Sequence, residues 1–259
     1  MKRAIQRTIA RLVPTASCSG TRVLLYHAVD ESEPADRLSL RVSRQAFLEQ
    51  MAVLRTDGYR VVPLASLLRS NDQDDRPRVA ITFDDGYRSQ AWAAAVLRDF
   101  GFPATFFVVT RFLDGVRSGT AYWEQWGHLG WDDLPALVAG GGEVGAHSAT
   151  HPDLRRCAAD ELGKEVSGAK GLLEDRLGEA IVSFSYPYGR HNSRVRLAVE
   201  RAGYRLACTS RYGDNHTSGQ RYVVHRTEVA GTDSLVDFRR KLQGKYDWLG
   251  HWQDVRPTR

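Results

Sequence analysis

Residues 79–86 read Val-Ala-Ile-Thr-Phe-Asp-Asp-Gly: an apolar, β-branched run that stops on two adjacent carboxylates, Asp84 and Asp85, and a glycine. The run has the length and composition of a buried strand, and Asp-Gly after it reads as a turn. The carboxyl end of a strand is the edge where parallel sheets and barrels build their sites. Two carboxylates there can divide labour, one binding a cation and the other staying free as a base.

Outward from this strand the chain keeps a strand-then-helix rhythm. Residues 23–27, 105–109, 143–146, 181–186, 204–208 and 222–225 read as further strands. Between them, apolar residues recur at helical spacing: Phe47, Met51 and Leu54 before Gly58; Trp92, Val96 and Phe100 before Gly101; then Leu162, Val166, Ala169, Leu173 and Leu177; and Val195, Ala198, Val199 and Ala202 before Gly203. A last helix is expected around residues 234–242. Crossovers of helical length imply a mostly parallel α/β sheet. An open doubly wound sheet and a closed barrel both fit the rhythm. No repeat or proline-rich linker divides residues 21–259, so one domain is expected there, behind an N-terminal segment of residues 1–20. Residues 111–130, with Tyr122, Trp123 and Trp126, and residues 210–221 read as long loops of the kind that often carry function.

Composition bounds the function. Of 259 residues, 42% are hydrophobic, enough for a full core. The formal charge is +5, but Lys2, Arg3, Arg7 and Arg11 precede the first acidic residue, Asp30, leaving the rest of the chain close to neutral. The basicity is therefore local, and no nucleic-acid partner is expected. Within residues 1–13, Ile5, Ile9, Leu12 and Val13 share one helical face and the arginines lie elsewhere on the helix. No long apolar run follows, so the segment fits neither a signal peptide nor a membrane span. Two readings stay open: a helix packed on the domain, and a helix lying on an anionic membrane surface. The expected location is cytoplasmic, at the inner face of the membrane in the second case. Cys18, Cys157 and Cys208 are odd in number and far apart, which argues against a disulfide framework or a thiolate zinc site. The sequon Asn215-His216-Thr217 is discounted because nothing suggests secretion.

A second motif, His147-Ser148-Ala149-Thr150-His151-Pro152, follows the strand at 143–146. Imidazoles four residues apart can hold one ion. With one of the carboxylates after residue 83 they form a His₂Asp set, which leaves an open position as in catalytic zinc sites, and the second carboxylate stands beside it as a base. A third motif, Phe184-Ser185-Tyr186-Pro187-Tyr188-Gly189, reads either as a plain turn or as a turn that aims the Tyr188 main-chain N–H at a developing oxyanion.

In this order and on successive strands, Thr82-Phe83-Asp84-Asp85-Gly86, His147 to Pro152 and Tyr186-Pro187-Tyr188-Gly189 resemble the polysaccharide deacetylase family over residues 22–242. The resemblance implies a distorted (β/α)₇ barrel. It implies that Asp84 is the general base, that Asp85, His147 and His151 bind a divalent metal, usually zinc, and that the Tyr188 N–H helps the metal hold the oxyanion. The expected substrate is an amino-sugar glycan. Two departures stand out. Many members carry an arginine that orients the base carboxylate, where this chain has Ser185; Arg226 is the candidate replacement. The late histidine motif, Val223-Val224-His225, sits in a context that resembles the exopolysaccharide branch acting on poly-N-acetylglucosamine-like polymers. In that branch an early Tyr-His, here Tyr26-His27, supplies the acid. His27 is therefore expected as general acid in preference to His225. Two other functions compete: deacetylation or deformylation of a lipid-linked sugar, and an inactive glycan-binding domain.

Overall fold

The computed structural model describes residues 2–14, 20–31, 36, 38–68, 76–115, 126–215 and 220–250. Cys18, Tyr122, Trp123, His216 and Thr217 lie outside them. After an N-terminal helix, α1 (Lys2–Leu12), come β1 (Thr21–Tyr26), the short strands β2 (Ala28–Val29) and β3 (Arg41–Val42), α2 (Arg44–Thr56), β4 (Arg60–Val61) and β5 (Arg78–Phe83). The chain continues through α3 (Gln90–Phe100), β6 (Ala104–Val108), α4 (Thr110–Leu113), α5 (Leu134–Val138), β7 (Glu143–Ala146), α6 (Ala159–Gly163) and α7 (Ala169–Leu177). It ends with β8 (Ser183–Ser185), α8 (Ser193–Arg201), β9 (Leu206–Cys208), β10 (Thr227–Glu228) and α9 (Leu235–Leu242).

The main sheet runs β10-β1-β5-β6-β7-β8-β9, with every pairing parallel, and β4 adds to the start of β5. An irregular seam joins its ends. The Val224 N–H donates to the Ala207 carbonyl (2.9 Å), Thr209 N–H to Val224 (2.8 Å) and Arg226 N–H to Arg211 (2.8 Å). The strands thus curl into a distorted parallel barrel wrapped by helices, which decides between the two architectures the rhythm allowed. The strand expected at residues 222–225 is displaced: residues 224–226 form the seam, and the regular pairing with β1 falls at Thr227 and Glu228.

Alternation along the strands separates two cores. Leu24, Tyr26, Ile81, Phe83, Phe106, Val108, Val144 and Phe184 face the helices, where Tyr26 stacks on Phe83 and Phe83 on Phe106 at centroid distances of 5.4 and 4.9 Å. Val23, Ala80, Phe107, Leu206, Cys208 and Val224 fill the barrel interior. The inward register reaches Ser185, the last residue of β8, and, one step past the ends of β1, β5 and β7, His27, Asp84 and His147. Four strands therefore deliver polar groups to one rim.

The stop expected at Gly101 is in place, and side chains cap the starts of three helices. Gly101 closes α3 in the left-handed conformation, and Ser43, Asn192 and Ser234 cap α2, α8 and α9 by accepting N–H bonds at their side chains. The long helix expected over residues 162–177 carries a π turn, Lys164–Gly168, between α6 and α7. α1 is tied to α9: Arg7 pairs with Asp237 at 2.9 Å and Ala10 is fully buried, while Ile5 and Leu12 stay exposed. Part of the basic stripe is thus spent on an intramolecular ion pair, as in a helix packed on the domain.

Gly145 faces the interior opposite Phe107, and a Cβ there would lie 2.5 Å from the Phe107 ring. Gly145→Ala is expected to cost about 1–3 kcal/mol by overpacking, read as a lower urea midpoint at unchanged m-value. An unchanged midpoint contradicts this account of the interior.

Candidate active site

The four motif residues meet. Asp84 follows β5 on the inward register, its N–H bonded to the Tyr26 carbonyl at 3.0 Å. The next side chain of a regular strand would point away from the lumen. Asp85 instead adopts φ 73°, which turns its carboxylate back to the same rim. His147 continues β7, with its N–H on the Val108 carbonyl at 2.9 Å. His151 also takes a left-handed conformation, φ 62°.

Asp85 Oδ1 lies 3.4 Å from Nε2 of His147 and 3.4 Å from Nε2 of His151, and the two nitrogens are 3.2 Å apart. Tetrahedral zinc with ligands at about 2.0–2.1 Å requires ligand–ligand edges of about 3.3–3.4 Å, so the spacing fits one ion. The tautomer fits as well. His147 Nδ1 lies 2.8 Å from the Ser185 carbonyl, an acceptor only, so it carries the proton and Nε2 presents a lone pair to the cluster. Among the described residues this trio is the group of His, Cys, Asp and Glu side chains placed to hold a metal.

Asp84 has different company. Arg226 grips it with two parallel bonds, Nη1 to Oδ1 and Nη2 to Oδ2, both 2.7 Å. The guanidinium also donates to Thr82 Oγ1 (3.3 Å), Ser185 Oγ (2.8 Å) and the Thr209 carbonyl (2.7 Å), and the Ser185 hydroxyl donates to Asp84 Oδ2 at 3.1 Å. Arg226, just before the last strand, thus holds the Asp84 carboxylate in a fixed orientation, the contact expected of a candidate replacement for an arginine at position 185. Asp84 Oδ2 still lies 3.8 Å from His147 Nε2, next to the trio without belonging to it.

Electrostatics follow from this geometry. Burial alone would raise both carboxyl pKa values. At Asp84 the charge of Arg226 outweighs it, joined by His147 when that ring is protonated, and at Asp85 it is outweighed by the His147 hydrogen bond and by the charges that His151 and His27 carry in their protonated forms. Both carboxyls are held below the ordinary range and stay ionised. Burial lowers His151 to about 4 against the pull of Asp85, so its imidazole is neutral at neutral pH and able to bind a cation.

His27 follows β1 directly, level with Asp84. Gln90 staples the two together, its side-chain amide donating to the His27 carbonyl (3.0 Å) and the Asp84 carbonyl (2.6 Å). His27 Nδ1 is buried with no hydrogen-bond partner among the described residues. His225 is elsewhere. Its carbonyl and N–H bond the Asn215 side chain, which also donates to the Thr21 carbonyl at the opposite end of β1. The same bonds make Asn215 a buried structural residue. Tyr188 sits in a left-handed turn (φ 60°) with its ring edge-on to His151 at 4.6 Å, so the residue expected to supply the oxyanion N–H borders the metal ligands. Trp126 of the aromatic loop packs against Tyr87 and under Arg41.

A barrel rim that carries a trio able to hold a metal ion and, beside it, a separately held carboxylate has the groups that metal-assisted hydrolysis uses. A sequence model described as polysaccharide deacetylase matches residues 71–207, more than half of the chain, and the chain belongs to that family. The chitooligosaccharide deacetylase of Azorhizobium caulinodans is 29% identical over 130 residues, 49% of this chain and 55% of its own. The poly-β-1,6-N-acetyl-D-glucosamine N-deacetylase of Escherichia coli is 34% identical over 101 residues, 37% of this chain and 15% of its own. The chain thus spans little more than half of the first relative and a small part of the second. Among solved structures, Streptococcus pyogenes deacetylase PplD in complex with acetate has a TM-score of 0.76 at 21% identity, covering 87% of this chain and 99% of that one, a likeness of fold.

Asp85→Ala, His147→Ala and His151→Ala are each expected to abolish zinc uptake, and Asp84→Asn to keep it, measured by elemental analysis of purified protein. Wild-type zinc content in Asp85→Ala refutes the ligand assignment. Arg226→Met leaves a buried carboxylate without its cation, and about 3–5 kcal/mol of lost stability is expected in denaturant titration.

Proposed function

We propose that this protein is a metal-dependent hydrolase that removes N-acetyl groups from an amino-sugar glycan, with a poly-N-acetylglucosamine-like exopolysaccharide as the substrate. The observation that carries the reading is the split between two neighbouring carboxylates. Asp85 faces the imidazoles, while Asp84 is held by Arg226 at the edge of the same cluster. The similarity to the Escherichia coli poly-β-1,6-N-acetyl-D-glucosamine N-deacetylase and the Tyr26-His27 pair support the choice of polymer.

Asp85, His147 and His151 would hold the ion, and the mixed nitrogen and oxygen donor set favours zinc. Such an ion supplies Lewis acidity, polarising the acyl oxygen and acidifying water. Asp84, ionised and oriented by two bonds from Arg226, takes the proton from the attacking water. Its bonds to Arg226 and Ser185 keep the carboxylate from swinging fully onto the metal, where it would be a poorer base. The Tyr188 N–H donates to the oxygen on which negative charge develops. His27, on the far side of Asp84 from β7, gives a proton to the amine as the C–N bond breaks. Acetate and a free amino sugar leave.

Acetate release from N-acetylglucosamine oligomers is expected to stop on chelation and return with zinc. Asp84→Asn is expected to lose at least ~100-fold in kcat, the usual contribution of a positioned base. His27→Ala is expected to lose a similar factor, with a larger deficit on substrates whose leaving amine is more basic. Full turnover by His27→Ala removes it from the mechanism; full turnover by Asp84→Asn defeats the whole proposal.

A further inference from the structure

The loop that carries the two histidines is held from behind by Glu165, a residue of no motif. Glu165 sits in the π turn between α6 and α7 and is 9% exposed. Its Oε2 accepts the N–H groups of Ala149 (3.0 Å) and Thr150 (2.8 Å), and its Oε1 accepts the Thr150 hydroxyl (2.6 Å). Its main-chain carbonyl accepts the Ala149 N–H a second time, at 3.1 Å. One residue thus binds every donor of the two residues between Ser148 and His151.

The loop needs such a hold. Ser148 (φ 65°) and His151 (φ 62°) are both left-handed without being glycine. Each such residue costs on the order of 1–3 kcal/mol unless its surroundings over-determine it. Ser148 Oγ accepts the His151 N–H at 2.9 Å, and α4 adds main-chain bonds from Thr110 to the Ser148 carbonyl and from Arg111 to the Ala149 carbonyl, but none of these engages the donors of Ala149 and Thr150. Those donors are held by Glu165. The π turn carries a cost of its own, since its hydrogen bonds are poorer than those of an α-helix, and such turns concentrate at functional sites. It also presents Glu165 and Val166 together on the buried side of the helix. The carboxylate makes no salt bridge among the described residues, so the N–H and O–H dipoles of the loop are what compensate its burial.

We propose that Glu165 is a positioning residue for the metal site: it presets the His147–His151 loop so that both imidazoles converge before an ion arrives. This rests on the reading of Asp85, His147 and His151 as metal donors. Pre-organisation of this kind acts on metal affinity more than on the fold, because the rest of the barrel does not depend on the loop's centre.

The test uses chelator-stripped full-length protein, titrated with zinc by calorimetry, together with apo-protein thermal unfolding. Glu165→Gln keeps the shape and can still accept both N–H groups on its one oxygen, but it turns an N–H₂ towards the Thr150 hydroxyl and removes the negative charge. Glu165→Ala removes the hold entirely. Zinc Kd is expected to rise about 10-fold in Glu165→Gln and about 100-fold in Glu165→Ala, the range found for groups that orient metal ligands. Both apo proteins are expected to melt cooperatively, close to the parent. Unchanged Kd in folded variants overturns the proposal, as does a collapse of both apo proteins, which would make Glu165 a purely structural residue. If the parent itself takes up no zinc, the metal-site reading fails first, and the two failures are told apart by that measurement.

Discussion

The Arg226 guanidinium is fully buried and all five of its N–H groups are spent: two on the Asp84 carboxylate, one on each of the Thr82 and Ser185 hydroxyls, and one on the Thr209 carbonyl. A buried ion pair gains little net stability over an apolar pair, because desolvating two charges costs several kcal/mol each. What this one gains is position. Planar, two-point contact fixes both the orientation of the carboxylate and its ionisation, and it sets apart two side chains that adjacency in sequence would make interchangeable. Asp85 is then left to the imidazoles.

Strain gathers around this pair. Among the described residues, the non-glycine positions at positive φ are Ser39, Asp85, Ser148, His151 and Tyr188, and all but Ser39 border the site. A strand can deliver a side chain to the rim only at every second residue. Bringing Asp85 to the rim beside Asp84, and His151 beside His147, takes turns that ordinary residues resist. The cost is met by contacts that reach well outside the motifs, such as the Gln90 amide across two strand ends and the Glu165 carboxylate behind the histidine loop. The same logic makes the site sensitive to substitutions in residues that touch no substrate.

This division explains what the sequence could reveal. Strands β5, β6 and β7 and the stop of α3 at Gly101 were legible because apolar periodicity and glycine caps are local signals. Asp84, Asp85, His147 and His151 were legible because chemistry-bearing residues cluster at strand ends, and the family resemblance sorted their roles. The last strand was misplaced because Val223 and Val224 carry the strand signal, while the segment that pairs with β1 begins just after Arg226, a charged residue on an inward position. Binary patterning forbids such a residue in a core, and function requires it. Gln90 and Glu165 gave no signal, since a polar residue on a helix ordinarily faces water. Only the tertiary structure shows what each one reaches.

The chain's rhythm also left open whether the sheet is flat or closed, and the site itself answers that. In strand order, β10 and β8 lie at or near opposite ends of the path, with β1, β5, β6 and β7 between them. Yet Arg226, beside β10, donates to Ser185 on β8 and to Asp84 at the tip of β5 within one hydrogen-bonded cluster. In a flat sheet, strands about 4.8 Å apart would separate the ends of that path by more than any arginine can span. Curling brings the ends round until a residue near the end of the sheet path reaches across the lumen. That the arginine comes from beside the last strand is therefore no obstacle: in a closed ring the rim has no first or last strand, and any inward position at that height can supply the group that holds Asp84.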